Sequence, residues 1–151
     1  MNRDIKCCCK ELQEKWIIGK EECRKIGIEI ALSCTSRTPL EQTAQYLRGR
    51  VPYVVARMVY SNVMLSELSE EGNKIVTWTL ESKHVIYPNK RPLSEAFDFY
   101  IVKNGKAIWD VKADVNKDEL PDYKQVADIF EKLGLRSGIH FGDPCHVEIK
   151  G

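Results

Sequence analysis

Apolar and polar positions alternate along this chain with two distinct periods, and the changes of period mark its elements. From about residue 9 to residue 26, Leu12, Trp16, Cys23 and Ile26 stand among glutamates and lysines, close to the i, i+4, i+7 spacing of an amphipathic helix. Gly27 ends that helix as a C′ glycine does. In Ile28 to Cys34 the period drops to two, with Ile28, Ile30 and Leu32 on one face of a half-buried strand. Thr38-Pro39 then starts a second helix, with proline at its first position, which continues through Leu40 to Leu47 until Gly49.

The middle of the chain reads less regularly. Val51 to Val55 is expected to be extended, and Met58 to Glu70 a short helix before a turn at Gly72-Asn73. Lys74 to Leu80 is rich in β-branched and aromatic residues and predicts a strand that presents His84 at its end. Phe97 to Val102 is a further strand, joined through Asn104-Gly105, a strong hairpin signal, to Ala107-Ile108-Trp109. Pro121 opens a helix whose Val126, Ile129, Phe130 and Leu133 keep helical spacing until Gly134, and Cys145 to Ile149 forms a last strand. Together these predict one α+β domain over residues 1–151, an antiparallel sheet with helices packed on it.

Composition narrows the function classes. The chain has 151 residues, 43% hydrophobic and 30% charged, the profile of a globular domain. With 23 basic and 22 acidic residues spread evenly, the net charge is +1, so no basic patch marks a nucleic-acid partner. Arg57 interrupts the most apolar stretch, Val51 to Leu65, so no membrane span is expected. The start, Met1-Asn2-Arg3-Asp4 followed by lysines and cysteines, lacks the apolar segment of a signal peptide, which gives an expectation of cytoplasmic synthesis. Six cysteines include no Cys-x-x-Cys pair and are expected to be reduced, with Cys7, Cys8 and Cys9 an exposed cluster near a frayed terminus.

Chemistry concentrates around two of the three histidines. His84, Asp98 and His146 would supply two imidazole nitrogens and a carboxylate oxygen, a hydrolytic zinc (Zn2+) set that leaves a fourth position for water. Asp143, three residues before His146, would act as base on that water. A lone carboxylate between Phe97 and Phe99 must be solvated, paired or metal-bound. Glu148 shares a strand face with His146 and could orient it, whereas Cys145 points the other way. His140 is expected to be structural. Taken alone, the same residues also read as unrelated surface or core groups, with Arg37 in a solvated loop and Gln42 on a helix surface.

Three segments, in order, carry a resemblance: Arg37 to Gln42; Ser82-x-His84 with Ser94-x-Ala96-x-Asp98; and Asp143-x-x-His146. They resemble motifs of the zinc peptidases that include D-Ala-D-Ala carboxypeptidases, D,D-dipeptidases and phage L-alanyl-D-glutamate endopeptidases. The family pattern is Ser-x-His-x-x-Gly-x-Ala-x-Asp. Here His84 and Asp98 lie 14 residues apart and Ser94 replaces the glycine, so Val85 to Leu93 reads as an inserted loop.

The resemblance implies the fold shared by Hedgehog signalling domains and D,D-peptidases. It also implies zinc on His84, Asp98 and His146, catalysis by Asp143 and Arg37, a substrate contact or a hydrogen bond behind the ligands from Ser82, and support of Arg37 or of the substrate by Gln42. The substrate it implies is a peptidoglycan stem peptide, cut by a monomeric endolysin-type L-alanyl-D-glutamate endopeptidase that reaches the cell wall after release from the cytoplasm. A D-Ala-D-Ala carboxypeptidase or dipeptidase, and a non-catalytic zinc-containing wall-binding module of the same fold, are the alternatives.

Overall fold

In the computed structural model, which describes residues 1–151, the first long helix, α1 (Lys10–Lys25), buries Leu12, Trp16, Gly19 and Cys23 along one stripe. That stripe meets α4 (Asp122–Lys132), whose buried face carries Tyr123, Val126, Ala127 and Phe130. The helices approach so closely that a Cβ on Gly19 would stand 2.2 Å from Cε1 of Phe130, so only glycine fits there. Trp16 stacks on Phe130 at 6.2 Å and meets the edge of Phe97 at 5.2 Å, which ties both helices to the sheet.

The sheet is antiparallel. Its strands are β1 (Glu29–Cys34), β2 (Ala96–Lys103), β3 (Lys106–Ile108), β4 (Arg136–Ser137) and β5 (His146–Glu148), in the order β1-β2-β5-β4 with β3 pairing on β2. Phe97, Phe99 and Ile101 of β2 face the helices and are fully buried, so Asp98 must face the other side. The Asn104-Gly105 turn has both residues at positive φ, 51° and 71°, as a tight two-residue hairpin demands.

Two further helices lie outside this core, α2 (Pro39–Leu47) and α3 (Tyr53–Met64). Thr38 caps α2 through a reciprocal capping box with Glu41. No helix is long and apolar enough to cross a membrane.

Several expectations are corrected. Val51 to Val55 is not extended: Pro52 is the N-cap of α3, which begins at Tyr53 and ends at Met64, where Leu65 turns left-handed at φ 54°. Pro52 precedes the first helical residue, where its missing N–H costs the helix no hydrogen bond. Lys74 to Leu80 is no strand, because no neighbouring strand pairs with it. Side chains pin it instead, Gln42 Nε2 donating to Thr79 O at 2.7 Å and Arg50 Nη2 to Thr77 O at 2.9 Å. The N-terminus is not frayed. Asn2 N donates to Ser36 O and Thr35 N to Asn2 O, Ser94 N donates to Cys7 O, and Cys8 is fully buried in the core. Burial pushes the Cys8 thiol up to about 12.

The inserted loop is shorter than expected. Val85 is fully buried and bridges Arg37, with Arg37 N donating to His84 O and Ile86 N to Arg37 O. Tyr87 and Arg91 pair across a turn, so the excursion proper is confined to its tip.

Candidate metal centre and groove

Strand register builds the centre. Asp98 on β2 is opposite Cys34 of β1 on one side and opposite His146 of β5 on the other. The register of β1 shifts between Leu32 and Cys34, an irregularity that brings Cys34 abreast of Asp98. Directly opposed residues share a face, so Cys34, Asp98 and His146 stand side by side on the face away from the helices. His84 reaches the same place from a turn, held by the bridge between Val85 and Arg37 rather than by the end of a strand.

Three donor atoms converge there. His84 Nε2 lies 3.1 Å from Asp98 Oδ1 and 3.2 Å from His146 Nδ1, and His146 Nδ1 lies 2.9 Å from Asp98 Oδ1. The far nitrogens identify the tautomers. His84 Nδ1 is 3.0 Å from the carbonyl of Thr35, and His146 Nε2 is 3.0 Å from Glu148 Oε2. Each of those partners accepts only, so each far nitrogen carries a hydrogen, and each inward nitrogen offers a lone pair to a metal ion once its own proton has left. Two lone pairs and a carboxylate oxygen facing one another repel unless a proton or a metal ion lies among them.

Charge follows the geometry. Burial works against a charged His84, but the adjacent Asp98 overrides it and pushes the imidazole from 6.5 up to about 10. The Asp98 carboxyl is held well below its usual range despite its burial, by His84 and His146. His146 is raised, again against burial, by Asp98 and Glu148. Glu148 is lowered by its hydrogen bond to His146 and lies between Lys83 Nζ at 3.6 Å and Arg136 Nη1 at 3.3 Å. These directions describe the chain with no metal in it.

Cys34 was missed as a member of this cluster. Its Sγ is 3.8 Å from His84 Nδ1, and the donor atoms of Cys34, His84 and Asp98 lie within 4.8 Å of one another, a buried group positioned to bind a metal ion. Asp98, Asp143 and His146 form an overlapping group with the same spread. The two groups share Asp98. The tight His84–Asp98–His146 triangle is the better nucleus, because its donors are about 3 Å apart and Cys34 meets the protonated face of His84.

The cluster floors a groove of about 560 Å³, one wall made by residues 75–79 and another by Phe141 to Asp143. Asp143 is exposed at its edge. Its backbone is fixed, N donating to Gly138 O and O accepting from His146 N, and a Cβ on Gly138 would meet Asp143 O at 2.2 Å. Cys145 Sγ donates to Asp143 Oδ1 at 3.2 Å, and burial keeps that thiol protonated.

Arg37 also lines the groove, with Nη2 3.3 Å from Asp98 Oδ2 and Nη1 donating to Gln42 Oε1 at 3.1 Å. Gln42 is fully buried and outside the groove, where it joins Arg37 to the 77–79 segment. That placement corrects the surface position expected of Gln42 taken alone and puts the residue in support of Arg37. Ser82 lines the groove, and its Oγ accepts the His84 amide hydrogen at 3.3 Å. His140 is exposed, pairs with Glu131 and does not line the groove. No protein-family model matches the chain, and no curated protein matches it significantly.

Proposed function

We propose that this protein is a zinc-dependent peptidoglycan peptidase that hydrolyses an amide bond of the stem peptide, with L-alanyl-D-glutamate cleavage of the endolysin type as its activity. The observation that carries this reading is the His84–Asp98–His146 triangle, two imidazole nitrogens and a carboxylate oxygen facing one another on the floor of an open groove. Two nitrogens and one carboxylate oxygen match a hydrolytic zinc set, and the groove leaves room for further ligands. The motif order and the antiparallel sheet with ligands on adjacent strands support assigning the chain to the Hedgehog/D,D-peptidase fold.

Zinc held by these residues would polarise the scissile carbonyl and acidify a water molecule to near neutrality. The protein supplies the rest. Glu148 and Thr35 O hold the two imidazoles in the ligating tautomer. Asp143 takes the proton of the attacking water and passes it to the leaving nitrogen. Arg37 offsets the negative charge that develops on the carbonyl oxygen, a role for which a single donor is worth about 3 kcal/mol. It also neutralises the outer oxygen of Asp98, and Gln42 holds its guanidinium in place.

A base at the groove edge has no use in a purely structural site, which favours the enzyme over a binding module. Digestion of purified peptidoglycan by the zinc-loaded chain, with mass spectrometry of the fragments, tests the assignment. New amino-terminal glutamate supports the endopeptidase, and released D-alanine would replace it with the carboxypeptidase. Intact stem peptides would contradict both.

A further inference from the structure

The loop that leads from β3 into α4 holds a second set of oxygen donors, none of which lines the groove. It reads Asp114-Val115-Asn116-Lys117-Asp118-Glu119-Leu120-Pro121-Asp122, followed by Gln125. Asp114, Asn116, Asp118, Leu120, Asp122 and Gln125 fall at positions 1, 3, 5, 7, 9 and 12 of a twelve-residue calcium loop, where position 7 offers its backbone carbonyl. The sixth position of such loops turns sharply and normally needs glycine. Glu119 occupies it here and takes the required left-handed conformation, φ 68°, with Lys117 also left-handed at φ 59°. Asp114 accepts the amide hydrogens of Asp118 at 3.0 Å and Glu119 at 2.9 Å, which curls the loop around its acidic side chains.

Loop shape alone would not make a site. The independent observation is three buried oxygens without hydrogen-bond donors, one each on Asp122, Asn116 and Gln125. Asp122 is fully buried; its Oδ2 accepts from Val115 N at 2.7 Å, but its Oδ1 has no partner. Asn116 Oδ1 and Gln125 Oε1 are likewise shielded from solvent and unpartnered, while their amide nitrogens donate to Asp118 Oδ2 at 2.9 and 2.7 Å, contacts that a bound ion replaces by turning the amides over. Buried oxygens without donors are costly, and three within one loop call for a shared cation. The carboxyl of Asp122 is raised by burial and then by the charges of Asp114 and Asp118, so these carboxylates act on one region.

We infer that Asp114, Asn116, Asp118, Asp122 and Gln125 form a calcium site. Its donors are all oxygens, three from carboxylates and two from amides, which suits calcium and not the softer, nitrogen-binding metals. Gln125 replaces the bidentate glutamate of the strongest loops, which places affinity at the weak end, with Kd about 10⁻⁴ to 10⁻³ M. The site is built to join helices. Asn116 Nδ2 donates to Ile26 O at the end of α1, and Asp122 is the first residue of α4, so a bound ion fastens the two helices that pack through Gly19 and Phe130. This inference is independent of zinc and of peptidase activity.

The test is calcium titration of the full, zinc-loaded chain by calorimetry, together with thermal unfolding at about 10 mM calcium or magnesium. One calcium should bind, and Tm should rise by roughly 5 °C with calcium and much less with magnesium. Asp118→Asn changes an exposed side chain and should fold normally by circular dichroism, keep its zinc and lose the calcium response. The double variant Asp114→Asn/Asp118→Asn should bind no calcium. A wild-type chain with no binding heat and an unmoved Tm would overturn the inference, as would equal shifts from both ions or unchanged calcium binding by the double variant.

Discussion

His84 Nε2 and His146 Nδ1 stand 3.2 Å apart, each with its other nitrogen engaged by an oxygen that only accepts hydrogen bonds. The facing atoms of imidazoles in that relation repel unless a proton or a metal ion lies among them. Asp98 Oδ1 completes the triangle at 3.1 and 2.9 Å. Zinc content is therefore the first expectation: about one ion per purified chain, lost in His84→Ala and in His146→Ala. Full occupancy in both variants, by atomic absorption, would remove them from the ligand set.

Cys34 separates the two overlapping metal groups. Because its sulfur lies beside Nδ1 of His84, which faces Thr35 O, Cys34→Ser should retain zinc. Loss of the ion in that variant would make Cys34, His84 and Asp98 the ligands instead. Cys7→Ser with Cys9→Ser is the suitable control. Cys8 is a core residue, and its replacement would confound stability with binding.

Glu148 should matter to affinity without touching the ion. Its hydrogen bond to His146 Nε2 fixes the ring, and loss of such partners typically weakens metal binding by about 10- to 100-fold. Glu148→Gln should show that loss in a competition titration with a zinc chelator. Unchanged affinity would mean that strand packing alone orients His146.

The pH dependence follows from the raised His84 and the lowered Asp98. In the metal-free chain the contribution of His84 is fully present below its ordinary 6.5 and is lost as pH rises towards about 10. Asp98 contributes above its ordinary 3.8, and that contribution is lost as pH falls below it. Metal-free stability should thus be greatest between about pH 4 and 6.5 on these two groups, and denaturant midpoints should decline above that window. Zinc must displace the proton held at His84, so binding at neutral pH should release about one proton per ion. Calorimetry in buffers of different ionisation enthalpy measures it, and zero release would show that the imidazoles are already unprotonated.

Much of this architecture is legible in the sequence. The period of 3.6 gave α1 and α4, the period of two gave β1 and β2, and Asn104-Gly105 located the hairpin. What the sequence does not carry is register. The irregularity near Cys34 and the pairing of Asp98 with His146 join residues far apart in the chain, so the place of Cys34 beside the cluster could not be read locally. Lys74 to Leu80 misleads because a groove wall uses the same β-branched and aromatic residues as a strand, with Trp78 left 80% exposed. Gln42 misleads because a polar helix residue normally faces water, whereas here its amide satisfies Arg37 and the 77–79 backbone.

Hydrolysis by a base-assisted zinc site depends on the carboxylate of Asp143, and Asp143→Asn removes it. The change keeps the size of the side chain and removes its basicity at an exposed position whose backbone is independently fixed. Wild type and variant, matched for zinc content, would be compared on purified peptidoglycan with fragments counted by mass spectrometry. Zinc content and stability should be equal, with hydrolysis by the variant lower by roughly 10²- to 10⁴-fold. Cleavage by the variant at the wild-type rate, or a zinc-loaded wild type that cuts no peptide bond, would contradict that mechanism.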